Sequence, residues 1–260
     1  MARLTPEVRV WESADALFRA AAAAFARHAA DARQERGAFR VALSGGETPR
    51  GVYALLARDP ALRASVPWDR TEVFWGDERH VPPEHPDSNY RMAKEALLSR
   101  VPIPASHVHR IRAELPDARD AADDYEATIR SVFGLSEDEL PRFDFVLLGL
   151  GPDGHTASLF RGTSALSEQR RLVVSTWVER FRADRITMTP PVFNNAAAVA
   201  FLVSGEDKAE ALQIILEGPI EPAKYPAQLI RPVSGRLLFF ADQAAASKLS
   251  QSAAVERPSS

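Results

Sequence analysis

Phe143-Asp144-Phe145-Val146-Leu147-Leu148-Gly149-Leu150-Gly151-Pro152-Asp153-Gly154-His155-Thr156-Ala157-Ser158 is the stretch on which the fold turns. The apolar run Phe145 to Leu150 reads as a strand buried on both faces. Gly149, Gly151, Pro152 and Gly154 then force the backbone through a tight turn. One acid, Asp153, and one histidine, His155, emerge from it. Thr156, Ala157 and Ser158 stand where a helix would open. Open α/β sheets carry their chemistry on such turns, at the carboxyl ends of buried strands. Histidine is the side chain best matched to proton transfer near neutral pH. The plainer reading is a solvated histidine on a common glycine turn.

Working outward, the same strand–turn–helix unit recurs. Val8 to Trp11 reads as a strand. Ser13 caps an alanine-rich helix that runs toward Arg36 and stops at Gly37. Phe39 to Leu43 is a second strand, after which Thr48 fits an N-cap and Pro49 the first turn of a helix reaching Ala57. Thr71 to Trp75 is a strand, and a polar, proline-rich loop leads from it to Asp87. Ser88 caps a helix to Ser99. His107 to Ile111 reads as a short strand and Asp117 to Phe133 as a helix. Beyond the central stretch, Leu172 to Trp177, Arg185 to Thr189, Ala197 to Val203 and Leu237 to Phe240 read as strands. Pro191 to Asn195 reads as a helical turn, and a helix follows Lys208 to Leu216. This alternation predicts a three-layer α/β fold, a largely parallel sheet with helices on both faces. No repeat or long linker divides the chain. Residues 1–246 are therefore expected to form one domain, and 247–260 a polar, frayed tail.

Composition excludes several functions. A net charge of −3 leaves no global basic field for nucleic acid or an anionic membrane. An anionic ligand would need a local cluster of cations. The absence of cysteine removes disulfides, thiolate catalysis and cysteine metal sites. The first residues lack the apolar core of a signal peptide, so a cytoplasmic protein is expected. His107 with His109, and His80 with His85, lack a third ligand at metal-site spacing, so no metal is expected.

Four polar clusters stand at strand ends or helix starts, and parallel strands bring such clusters to a common edge. Ser44-Gly45-Gly46-Glu47-Thr48-Pro49 offers free backbone N–H groups, hydroxyls and a helix dipole to an anion. It lacks the P-loop lysine, and no Gly-x-Gly-x-x-Gly accompanies it, so a nucleotide is not indicated. Asp77-Glu78-Arg79-His80, followed by Asp87-Ser88-Asn89, offers a cation for substrate oxygens in Arg79 and an acceptor for sugar hydroxyls or a proton in Asp77. Asp153 and His155 form the third cluster. The fourth joins Arg185 to Lys208, a cation in the first turn of a helix, where the dipole disfavours it unless an anion is also bound. Each cluster is also compatible with an ordinary solvated loop.

Taken together, Ser44 to Pro49, Gly76 to Arg79 with Asp87 to Tyr90, and Gly149 to Phe160 resemble the 6-phosphogluconolactonase family, in the same order along the chain. Arg185 to Thr189 and Gly205 to Lys208 are similar to the family's later phosphate-binding segments. The resemblance spans about Val8 to Phe240. It implies the fold shared with ribose-5-phosphate isomerase and glucosamine-6-phosphate deaminase. It also implies hydrolysis of 6-phospho-D-glucono-1,5-lactone to 6-phospho-D-gluconate in the pentose phosphate pathway, without metal or cofactor. The expected partner is this sugar-phosphate lactone, bound by a monomer or small homo-oligomer. His155, Asp153, Arg79 and Asp77 would carry catalysis; Ser44, Gly45, Gly46, Thr48, Arg185 and Lys208 would bind phosphate and sugar. Related deaminases place a glutamate shortly after the histidine, whereas Thr156 to Gly162 here contains no acid. A non-catalytic sugar-phosphate sensor is the other alternative. Arg161 stands where the lactonases usually have proline, which is expected to alter the local helix start and loop.

Overall fold

Two sheets organise the chain in the computed structural model, which describes residues 5–250 and 255–256. In chain order the elements are β1 (Glu7–Trp11), α1 (Ala14–Arg36), β2 (Phe39–Leu43), α2 (Glu47–Arg58), α3 (Pro60–Ser65), β3 (Thr71–Trp75), β4 (Asp77–Arg79), α4 (Asn89–Ala96), α5 (Ala118–Phe133) and β5 (Phe145–Gly149). There follow β6 (Val173–Val178), β7 (Ala183–Met188), α6 (Pro190–Asn194), β8 (Ala198–Val203), α7 (Ala209–Glu217), β9 (Arg236–Asp242) and β10 (Val255–Glu256).

The main sheet has the order β10-β1-β9-β8-β5-β2-β3, with every neighbouring pair parallel. The predicted α/β class is therefore the one found. Its strands read as continuous apolar runs because both faces are covered: all six residues of β8 are buried. The direction of chain progression reverses between β2 and β5, since β2 leads outward to β3 and β5 leads through β8 to β9. Such a reversal opens a crevice at the carboxyl edge.

Helix α1 starts where Ser13 Oγ accepts the Ala16 N–H and ends at Gly37, φ 78°. Its buried face is largely alanine, which brings the helix close to α2, β2 and β9. A second, antiparallel sheet, β4-β7-β6, was not foreseen as such. Asp77 to Arg79, expected in a loop, pair with Thr187 to Arg185 instead. The core runs without interruption from the main sheet into this one, through Phe193, Met188 and Ile186.

Other local expectations are corrected. Helix α2 begins at Glu47 with Gly46 at its N-cap, so Thr48 lies inside the helix and caps nothing. Thr156 to Ser158 form no helix: Ala157 adopts a left-handed φ of 48°, and a single bridge joins Thr156 to Leu159. Arg161 is accordingly an exposed turn residue rather than a helix-start position. His107 to Ile111 form no strand beyond one bridge between Val108 and Val73. His109 and His107 instead reach Glu72 from its two oxygens, at 2.6 and 3.8 Å. Of the segment 247–260, Ser250 bonds to Glu217 and β10 pairs with β1, while residues 251–254 and 257–260 lie outside the described residues.

One half-buried group ties stability to pH. His28 of α1 stacks on Phe145 with ring centroids 4.4 Å apart. Burial, with a further contribution from Arg236, pushes its imidazole down to about 4; Arg27 acts in the same direction and Asp31 and Glu7 oppose it. The unfolded chain takes up this proton first, so folding stability is lost as pH falls from about 6.5 toward 4. Thermal melts of His28→Phe should show a shallower decline of Tm over that window than the parent. Parallel curves would remove His28 from the account of acid sensitivity.

Candidate active site

The carboxyl ends of β3, β2, β5 and β8 surround a cavity of about 450 Å³. Of the residues read from the sequence, Ser44, Gly45, Gly46 and Thr48 line one wall, and Asp77 and Arg79 another. His155 and Lys208 face it from the remaining two turns. Asp153 lies behind His155. Arg185 is also outside the lining: its place on β7 sets it opposite Arg79 of β4 rather than beside Lys208.

Two buried tyrosines fix the strand ends. The Tyr53 hydroxyl accepts the Ser44 N–H and donates to the Ser44 carbonyl, both at 3.0 Å. The Tyr125 hydroxyl does the same for Trp75, at 2.8 and 3.1 Å. Burial raises the pKa of both phenols, so they remain neutral donors.

The turn after β5 is closed by the Gly151 N–H on the His155 carbonyl and the Gly154 N–H on the Gly151 carbonyl, each 2.9 Å. It brings Asp153 Oδ1 to 2.5 Å from His155 Nδ1. The His155 hydrogen bond holds the Asp153 carboxyl well below the usual carboxylate range, so Asp153 is ionised and only accepts. Nδ1 must then be the donor, which leaves Nε2 as the basic nitrogen of the neutral ring. The other face of Asp153 is met by Arg180, whose Nη1 lies 3.1 Å from Oδ2. Phe160 stacks on the imidazole at 4.2 Å between centroids.

Asp77 is buried and accepts the Ser158 hydroxyl at 2.7 Å. Asn89 donates to the Asp77 carbonyl at 2.9 Å and crosses Gly45 so closely that a Cβ there would lie 1.8 Å from Asn89 Oδ1. Asn89 itself is placed by Glu78, a buried carboxylate. Glu78 accepts N–H groups of Arg79, Asn89 and Tyr90 and the Ser88 hydroxyl, and so holds the start of α4. Burial raises the Glu78 pKa, with the backbone donors opposing. On the far wall, buried Asp242 accepts the Ser204 hydroxyl and the Gly205 N–H, which fixes the turn that carries Lys208. Lys208 is the residue before α7, not within its first turn, and pairs with Asp207 at 2.7 Å.

One feature of the cavity suits an anion. The N-terminus of α2 has no side-chain cap: Gly46, at φ 107°, leaves its N–H groups open, and the buried Ser44 Oγ has no hydrogen-bond partner. Arg185, its Nε buried and unpartnered, is desolvated and lies against Arg79, and both effects lower its pKa. Among the described residues, neither arginine pairs with a carboxylate.

Sequence reasoning missed the parts played by Ser158, Phe160, Glu78, Asp242 and Arg180. The first two stand in the histidine motif itself, and Glu78 adjoins Asp77. Arg180 carries no local signal, being far along the chain from Asp153.

An all-parallel sheet with a polar crevice at its switch point defines an α/β protein with the ligand-site arrangement of open parallel sheets. A family model described as glucosamine-6-phosphate isomerases/6-phosphogluconolactonase matches residues 12–239, and the chain belongs to that family. The curated 6-phosphogluconolactonase of Synechocystis sp. is 40% identical over 246 residues, covering 95% of this chain and 99% of its own. A 6-phosphogluconolactonase structure from Trypanosoma cruzi superposes with a TM-score of 0.83 at 31% identity, over 95% of this chain and 98% of that one. A monomeric glucosamine-6-phosphate deaminase, 23% identical with a TM-score of 0.75, covers 93% of this chain and 99% of its own and shares the fold.

Proposed function

We propose that this chain is a 6-phosphogluconolactonase, hydrolysing 6-phospho-D-glucono-1,5-lactone to 6-phospho-D-gluconate in the pentose phosphate pathway. The Asp153–His155 pair at 2.5 Å on the wall of the anion-suited cavity carries the reading, and the relatives named above support it. A lactone is an activated ester, so no covalent nucleophile is needed. Water adds to the ring carbonyl while Nε2 of His155 takes its proton. Arg79 stabilises the oxyanion. Collapse of the tetrahedral adduct breaks the bond from the carbonyl carbon to the ring oxygen, and the imidazolium returns its proton to that oxygen. Asp153 keeps the ring in the correct tautomer, and Asp77 orients sugar hydroxyls. The phosphate is held by the Ser44–Thr48 loop with Gly45 and Gly46 and by Lys208, whereas Arg185, expected there from the sequence, stands outside the cavity lining; the phosphate's binding energy orients the remote carbonyl.

The direct test is formation of 6-phosphogluconate from the lactone with the spontaneous rate subtracted. Turnover indistinguishable from background, or ammonia release from glucosamine 6-phosphate, would overturn the assignment. The phosphate site has its own test. Charged hydrogen bonds are worth about 1.5–3 kcal/mol, so Lys208→Ala should raise KM for the phosphorylated lactone about tenfold or more. Hydrolysis of unphosphorylated gluconolactone should hardly change. Equal losses with both lactones would place the phosphate elsewhere. No helix among the described residues is long and apolar enough to cross a membrane; a cytoplasmic monomer or small homo-oligomer completes the proposal.

A further inference from the structure

The hairpin between β6 and β7, from the second sheet, touches Asp153 directly and reaches His155 through Phe160. Its tip, Glu179 to Arg182, turns sharply, with Arg182 at a left-handed φ of 47° and its N–H on the Glu179 carbonyl. Arg180 Nη1 donates to Asp153 Oδ2 at 3.1 Å. Phe181 meets Phe160 edge-on at 5.6 Å, and Phe160 stacks on His155. The two oxygens of Asp153 are thus divided. Oδ1 serves the ring and backbone N–H of His155, and Oδ2 serves Arg180. Glu179, the acid next to Arg180, is occupied by the Trp177 indole N–H at 2.8 Å.

From this geometry we propose that Arg180 is a positioning residue for the reaction, acting on His155 through Asp153. It holds the carboxylate with Oδ1 toward Nδ1 and sets a guanidinium against the other oxygen. The inference rests on His155 being the base. Arg180 is 62% exposed at its side chain, so the ion pair contributes little to folding stability. A residue retained only for stability would leave catalysis untouched. A residue that orients a catalytic group acts on kcat, because small misplacements of that group are costly.

The test compares Arg180→Ala, Arg180→Lys and His155→Ala with the parent, by lactone hydrolysis across pH. Arg180→Ala should lower kcat about tenfold with KM changed less than about threefold. Its acid limb of kcat/KM should move to higher pH, because removal of the positive neighbour favours the protonated pair. The charges that face His155 from other elements are Glu47 of α2, Asp77 and Arg79 of β4, and Asp207 and Lys208 of the turn after β8. All remain in the variant, so the displacement reports Arg180 alone. Arg180→Lys should recover the pH profile and part of kcat, and Tm should stay within about 2 °C for both. Parental kcat and acid limb in Arg180→Ala, beside an inactive His155→Ala, would overturn the inference while leaving the base intact. A raised KM at unchanged kcat would do the same and make Arg180 a substrate contact. Normal turnover in His155→Ala would instead sink the underlying reading.

Discussion

Replacing His155 by alanine should lower kcat for the phosphorylated lactone by roughly 10²–10⁴-fold, the usual worth of a positioned general base. Affinity for 6-phosphogluconate should change little, since the proposed phosphate contacts lie on other walls of the cavity. Glutamine at the same position should fail nearly as badly. It can hydrogen-bond to the attacking water but cannot accept its proton. Because Asp153 is ionised and takes the Nδ1–H, the nitrogen lost in either variant is the basic one. Steady-state kinetics with the spontaneous rate subtracted give the answer, and turnover near the parental value would reduce His155 to a solvated loop residue.

Alanine at Gly151 should cost about 10²-fold in kcat, although residue 151 has no side chain to lose. A Cβ there would lie 2.0 Å from His155 Nδ1, 2.1 Å from Cε1 and 2.8 Å from Asp153 Oδ1. Those distances are far inside contact, so something must move. The nearest atoms belong to the imidazole, a side chain free to rotate, rather than to backbone. The ring swings off Asp153 and the tautomer lock is lost with it. The signature is a large fall in kcat with a small change in Tm. A variant that keeps its turnover would show that the turn can absorb a methyl group without displacing the base, and a collapse of Tm would show that backbone had moved instead.

The site clusters were legible because each follows an apolar run that only a buried strand explains. Parallel strands share one edge, so Ser44, Arg79, His155 and Lys208 were expected in one crevice, and the same cavity is lined by all four. What was illegible depends on partners distant in sequence. Asp77 to Arg79 has no apolar alternation, and it becomes a strand through its pairing with β7. That same pairing carries Arg185 to Arg79 and away from Lys208. Thr48 obeyed the capping rule on paper, yet Gly46 at φ 107° lets the helix start two residues earlier with its N–H groups open. Ala157 has no local reason to be left-handed. Its conformation turns the chain so that Ser158 reaches Asp77, a contact across 81 positions of sequence. His107 and His109 both reach Glu72, although the segment that carries them makes only one bridge and no strand.

The walls of the cavity come from segments scattered between Ser44 and Lys208, separated by most of the helices and strands of the domain. No contiguous fragment shorter than Ser44 to Lys208 contains them all. Turnover is therefore a property of the completed topology. During refolding, compaction and helix signal can return while loops between distant strands are still closing, whereas catalysis must await the last of those closures. The enzyme's own rate is in this sense a gauge of how many molecules have finished folding.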